Sequence, residues 1–60
     1  MRGIKLTETN GKITHFLNAE YHYEDSDIII VEYDVNEYDG EHLIDKHYIP
    51  ENEVKEIKYE

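Results

Sequence analysis

Sixty residues with six basic and fifteen acidic side chains give a formal charge of −9 and room for a single domain. A chain this short buries only about 60% of the surface it exposes when unfolded, so its stability margin is thin. No cysteine is present. That excludes disulfide staples and thiolate metal sites and fits a reducing, cytoplasmic setting. No apolar run approaches the roughly 20 residues of a membrane span, and Met1-Arg2-Gly3-Ile4-Lys5 has no signal-peptide core.

The first stretch, Arg2 to Thr9, alternates Ile4 and Leu6 with Lys5 and Thr7, the period of a half-buried strand. Asn10-Gly11 then predicts a tight hairpin of type I′. A second strand starts at Lys12 and loses phase, because Ile13 and Leu17 share one parity while Phe16 has the other. Such a slip predicts a bulge or a sharp bend, giving one bent strand or two short ones. Beyond it Ala19, Tyr21 and Tyr23 share a face, opposite Glu20 and His22.

Glu24-Asp25-Ser26-Asp27 is a polar turn. The stretch Asp27-Ile28-Ile29-Ile30-Val31-Glu32-Tyr33-Asp34 follows. Its four consecutive β-branched residues favour a pleated strand buried on both faces, or nearly so. It is the predicted central strand, with Ile28 and Ile30 on one face and Ile29, Val31 and Tyr33 on the other. A loop with the turn signal Asp39-Gly40 leads to a fourth strand, His42 to Ile49. Pro50 ends that strand, since it cannot donate to a ladder. After Pro50 the reading favours a 3₁₀ turn and a last strand through Ile57 and Tyr59 over a short helix. The predicted fold class is therefore all-β: a small antiparallel sheet or an SH3-like barrel of about five short strands, with a 3₁₀ turn or short helix near the C-terminus.

The order strand, bent strand, central strand, strand, Pro-turn, short strand resembles the SH3-like and Sm-like small barrels, in which a 3₁₀ turn before the last strand helps closure. The opening Ile4-Lys5-Leu6-Thr7-Glu8-Thr9-Asn10-Gly11 and the ending Tyr48-Ile49-Pro50-Glu51-Asn52-Glu53-Val54-Lys55-Glu56-Ile57 resemble very small phage and prophage proteins. That second resemblance implies, for an acidic chain, an inhibitor of a host enzyme or defence system. Some such inhibitors mimic DNA. It also implies the cytoplasm of a bacterial host cell. Neither resemblance carries a site residue over.

Charge is unevenly spread. From Ile13 to Asp45 no Lys or Arg occurs, while that span holds ten acids. Such a segment repels nucleic-acid phosphates and attracts basic surfaces. The predicted function is an acidic protein-binding module that occupies a basic site on a partner, the partner being a nucleic-acid-handling or host-defence protein. The partner-binding residues expected are Glu20, Tyr21, Tyr23, Glu24, Asp25, Asp27, Glu32, Asp34, Glu37, Tyr38, Asp39 and Glu41. Tyrosine suits interfaces because it buries area and keeps a polar tip, and carboxylate-ringed rings suit Arg or Lys. The competing explanations are solubility for the acids and β-propensity for the tyrosines. The alternative function is a structural subunit forming a homodimer through strand edges. Direct nucleic-acid and membrane binding are not expected.

Chemistry has little footing. A zinc site needs three or four converging ligands, and His42 and His47 have opposite parity on one strand. Asp34 to Asp45 has the end acids of a calcium loop, but Gly40 falls one place too late and Tyr38 sits at a ligand position. A polar hairpin loop is the expectation there. The one serine, Ser26, lies among acids, and no phosphate-cradling glycine loop exists. No enzyme activity, metal or cofactor is expected.

Overall fold

The computed structural model describes residues 3–34 and 43–60. Apolar alternation sets its strands: β1 (Ile4–Glu8), β2 (Ile13–Phe16), β3 (Ala19–Glu24), β4 (Asp27–Tyr33), β5 (Leu43–Pro50) and β6 (Val54–Tyr59), with a 3₁₀ turn over Glu51–Glu53. They form two three-stranded antiparallel sheets, ordered β2-β1-β6 and β3-β4-β5. The all-β expectation holds, and of the two endings weighed after Pro50 the 3₁₀ turn and strand is the one found. The bent second strand resolves into two separate strands, which makes six.

The β1–β2 hairpin closes differently from a type I′ turn. The Gly11 N–H donates to the Glu8 carbonyl and the Glu8 N–H to the Lys12 carbonyl, both at 2.9 Å. The loop is thus Thr9-Asn10-Gly11, a three-residue connection with glycine at the left-handed position, φ 91°. Asn10 keeps a negative φ and uses its side chain instead, Oδ1 accepting from the Lys12 N–H at 2.9 Å. Gly11 is needed where it stands because only glycine takes that φ without steric cost.

The break between β2 and β3 falls at Leu17-Asn18. Phe16 turns inward and Leu17 outward, 74% exposed. Asn18 is buried, and its carbonyl accepts the Tyr33 N–H at 2.8 Å, fastening the corner to the end of β4. At the β3–β4 hairpin Asp25 takes φ 56°, a region Asp tolerates better than most residues. The Ser26 carbonyl accepts the Glu51 N–H at 2.8 Å, and the Thr9 N–H donates to the Glu53 carbonyl at 2.9 Å. The 3₁₀ turn is therefore tied to both hairpins.

The core lies between the sheets. Ile4, Leu6 and Phe16 come from one sheet, and Ala19, Ile28 and Ile30 from the other, with Tyr21, Ile49, Val54, Ile57 and Tyr59 at the margin. Ile4 and Ile30 are fully buried. Each such side chain contributes about 1.5–3 kcal/mol relative to exposure. Ile29 and Val31 are also buried but do not belong to this cluster. They point to the other side of β4, where His22 and Tyr48 flank Ile29 and Glu20 and Lys46 flank Val31. Long side chains on both neighbouring strands thus cover the outer apolar row, which explains four consecutive β-branched residues in a strand with only one sheet packed against it.

Candidate binding surface

Register decides which charges meet. In the β2-β1-β6 sheet, His15, Lys5 and Lys58 lie side by side on the outer face. His15 Nδ1 contacts Glu60 Oε1 at 2.8 Å, an exposed pair. Exposed pairs of this kind contribute about 0–1 kcal/mol. Acids Glu8, Glu56 and Glu60 are balanced there by Lys5, Lys12, Lys55 and Lys58.

The β3-β4-β5 sheet differs. It carries Glu20, Glu24, Asp25, Asp27, Glu32, Asp34 and Asp45, with Lys46 its one Lys or Arg among the described residues. Strand alternation places Glu20, His22 and Glu24 on the outer face with Ile29 and Val31. The Tyr33 hydroxyl donates to Glu20 Oε1 at 2.9 Å, and His22 Nε2 lies 3.4 Å from Glu24 Oε2. On the inner face, His47 Nε2 lies 3.2 Å from Glu32 Oε1 and 3.9 Å from Asp45 Oδ2. The His47 ring also sits 5.0 Å from that of Phe16.

The expected tyrosine–carboxylate patch is divided by this geometry. Tyr21 and Tyr23 share the face opposite Glu20 and Glu24. Tyr21 packs on the core margin, stacks on Tyr59 at 4.9 Å, and meets Tyr23 edge-on at 6.3 Å. Its backbone N–H donates to the Tyr59 hydroxyl at 3.2 Å, bridging the edges of the two sheets. Tyr21 therefore helps hold the sheets together, whereas Tyr23 is 60% exposed. Asp25 is exposed at the hairpin tip; Asp27, Glu32 and Asp34 are half-buried. Glu37, Tyr38, Asp39 and Glu41 lie outside the described residues, as does most of the loop compared with a calcium site.

Exposed apolar side chains on β5 were not singled out in the sequence. Leu43, Ile44 and Tyr48 are all about half exposed or more. The alternation of β5 was readable, but its position at the sheet's margin was not. Beside it runs a groove of about 380 Å³, with Leu6, Phe16, His47 and Ile49 in its walls and Glu8, Lys12 and Thr14 along it. Ser26 lies in the β3–β4 turn. Among the described residues no three His, Asp or Glu side chains converge as a metal site would require, and no helix is long and apolar enough to cross a membrane.

The chain matches no known protein family, no curated protein and no solved structure.

Proposed function

We propose that this chain is an acidic, non-enzymatic binding module that occupies a basic site on a partner protein. The observation that carries this reading is the segregation of charge: the β3-β4-β5 sheet carries many acids against Lys46 as its one Lys or Arg among the described residues, while the other sheet is nearly neutral. A fixed array of carboxylates on a rigid sheet raises the encounter rate with a basic surface and suits a site built for nucleic-acid phosphates. The partner is then a nucleic-acid-handling or host-defence protein, and the chain a phage-type inhibitor in a bacterial cytoplasm. Glu20, Glu24, Asp25 and Asp27 are its first contacts, with Tyr23 at one edge.

The test is affinity capture from bacterial lysate, followed by association kinetics of the captured protein from about 50 to about 500 mM salt. A steep fall of the association rate with salt, and competition by duplex DNA, support the reading. A flat salt response overturns it.

A second reading, self-association through a strand edge, is supported by the exposed Leu43, Ile44 and Tyr48 of β5. Sedimentation equilibrium separates the two: a monomer at every concentration removes the second.

A further inference from the structure

Main chain, groove and charge meet at β5. This strand ends the order β3-β4-β5, so one of its edges pairs with no strand among the described residues. The Lys46 N–H donates to Asp45 Oδ1 at 2.8 Å, and so points away from β4. Antiparallel ladders alternate, so the main-chain groups of Tyr48 point the same way, as does the donor-less position of Pro50. Proline is tolerated there because no ladder bond is lost. The open edge thus offers the Tyr48 N–H and carbonyl, with the Lys46 N–H held by a neighbouring carboxylate.

Side chains follow the same alternation. His47 and Ile49 project to the inner face and into the groove with Leu6 and Phe16. One step further along that row, the Asp45 and Glu32 carboxylates flank His47. Asp45 is 61% exposed at its side chain.

The geometry points to the β5 edge as a docking site for an extended segment of a basic protein, added antiparallel as a further strand. Apolar side chains opposite Ile49 and His47 enter the groove. A Lys or Arg opposite Asp45 pairs with the Asp45 carboxylate, draws it off the Lys46 N–H, and frees that donor for the incoming strand; Glu32 lies one strand further in, directly across from Asp45 on β4. Main-chain bonds give affinity, and the alternate side chains give selectivity. The basic residue is argued from the acidic character of this sheet, so this inference rests on the proposed function for the partner's charge. The location and the strand pairing are independent of it.

The probe is the peptide acetyl-TVTLTRT-amide, titrated into the isotope-labelled full chain by NMR. Expected are amide shifts at Lys46, Tyr48, Ile49, Leu6 and Phe16. N-methylation of the two threonines flanking the leucine, which removes donors to β5, weakens binding about tenfold or more. Arg→Gln in the peptide and Asp45→Asn in the chain each weaken it as well. An N-methylated peptide that binds as well as the parent overturns the inference. So do shifts confined to Glu20, Glu24 and Asp27, and so does a Tyr48 amide already protected by a second copy in the absence of peptide. Sensitivity to N-methylation without sensitivity to Arg→Gln supports strand addition, while it overturns the basic residue and counts against the acidic-site reading.

Discussion

The two sheets share one core but meet water differently. The β2-β1-β6 sheet buries Ile4, Leu6 and Phe16 on its inner face and shows a mixed row of His15, Lys5 and Lys58 outside. The β3-β4-β5 sheet buries Ile28 and Ile30 inside and also buries Ile29 and Val31 outside, under the side chains of Glu20, His22, Lys46 and Tyr48. One sheet is thus an ordinary amphipathic wall. The other has an apolar row on its outer face, acids around it and, at β5, an edge that pairs with no strand among the described residues. Ile29 and Val31 add stability, while the acids around them face water without a matching set of bases, so binding is to be sought on the second sheet.

Changing the inner row has the largest expected effect. Ile30→Ala opens a cavity between the sheets and lowers stability by about 2–5 kcal/mol in urea unfolding, enough to leave so small a domain largely unfolded. Ile29→Ala, one residue away on the outer face, costs roughly 1–2 kcal/mol, because flanking side chains and water fill the gap. Equal losses at the two positions would mean that both faces of β4 are core and would dissolve the contrast.

Tyr59→Phe probes the junction of the sheets. It removes the acceptor of the Tyr21 N–H and is expected to cost about 0.5–1.5 kcal/mol, with faster amide exchange at Tyr21. Gly11→Ala places a methyl at φ 91° and costs about 1 kcal/mol, although nothing lies within 4 Å of the added carbon. A stability equal to that of the parent would show that the hairpin re-forms as another turn. The smallest effect belongs to β5: Tyr48→Ser changes stability by no more than about 0.5 kcal/mol, since Tyr48 is 63% exposed. A larger loss would place Tyr48 among the residues that hold the fold.

The strands of this fold were legible because alternation and β-branching are local signals. Ile28 and Ile30 against Ile29 and Val31 could be assigned to faces from period two alone. The Asn10-Gly11 hairpin was legible as a hairpin, but not its turn type, which depends on whether Asn10 spends its side chain or its backbone on the turn. The phase slip at Phe16-Leu17 announced a change of direction. Its outcome, two strands in different sheets, is set by Phe16 and Ala19 packing into one core with Ile4, Leu6, Ile28 and Ile30, partners distant in sequence. The charge asymmetry was legible as a span without Lys or Arg. That Tyr21 faces the core margin rather than sharing a patch with Glu20 followed from alternation but was masked by adjacency in sequence. The open edge of β5 was out of reach, because edges are a property of sheet order.

The segregated charge is tested most directly by comparing two neutralised variants against the captured basic partner by stopped-flow kinetics at low salt. One variant carries Glu20→Gln, Glu24→Gln and Asp27→Asn; the other carries Glu51→Gln, Glu53→Gln and Glu56→Gln. Both lose three negative charges, so net charge alone cannot separate them. Expected is an association rate lowered about tenfold or more by the first variant and by less than about threefold by the second, with the difference vanishing at high salt. Equal effects of the two variants would contradict a binding role for the acidic sheet and leave the charge as a matter of solubility.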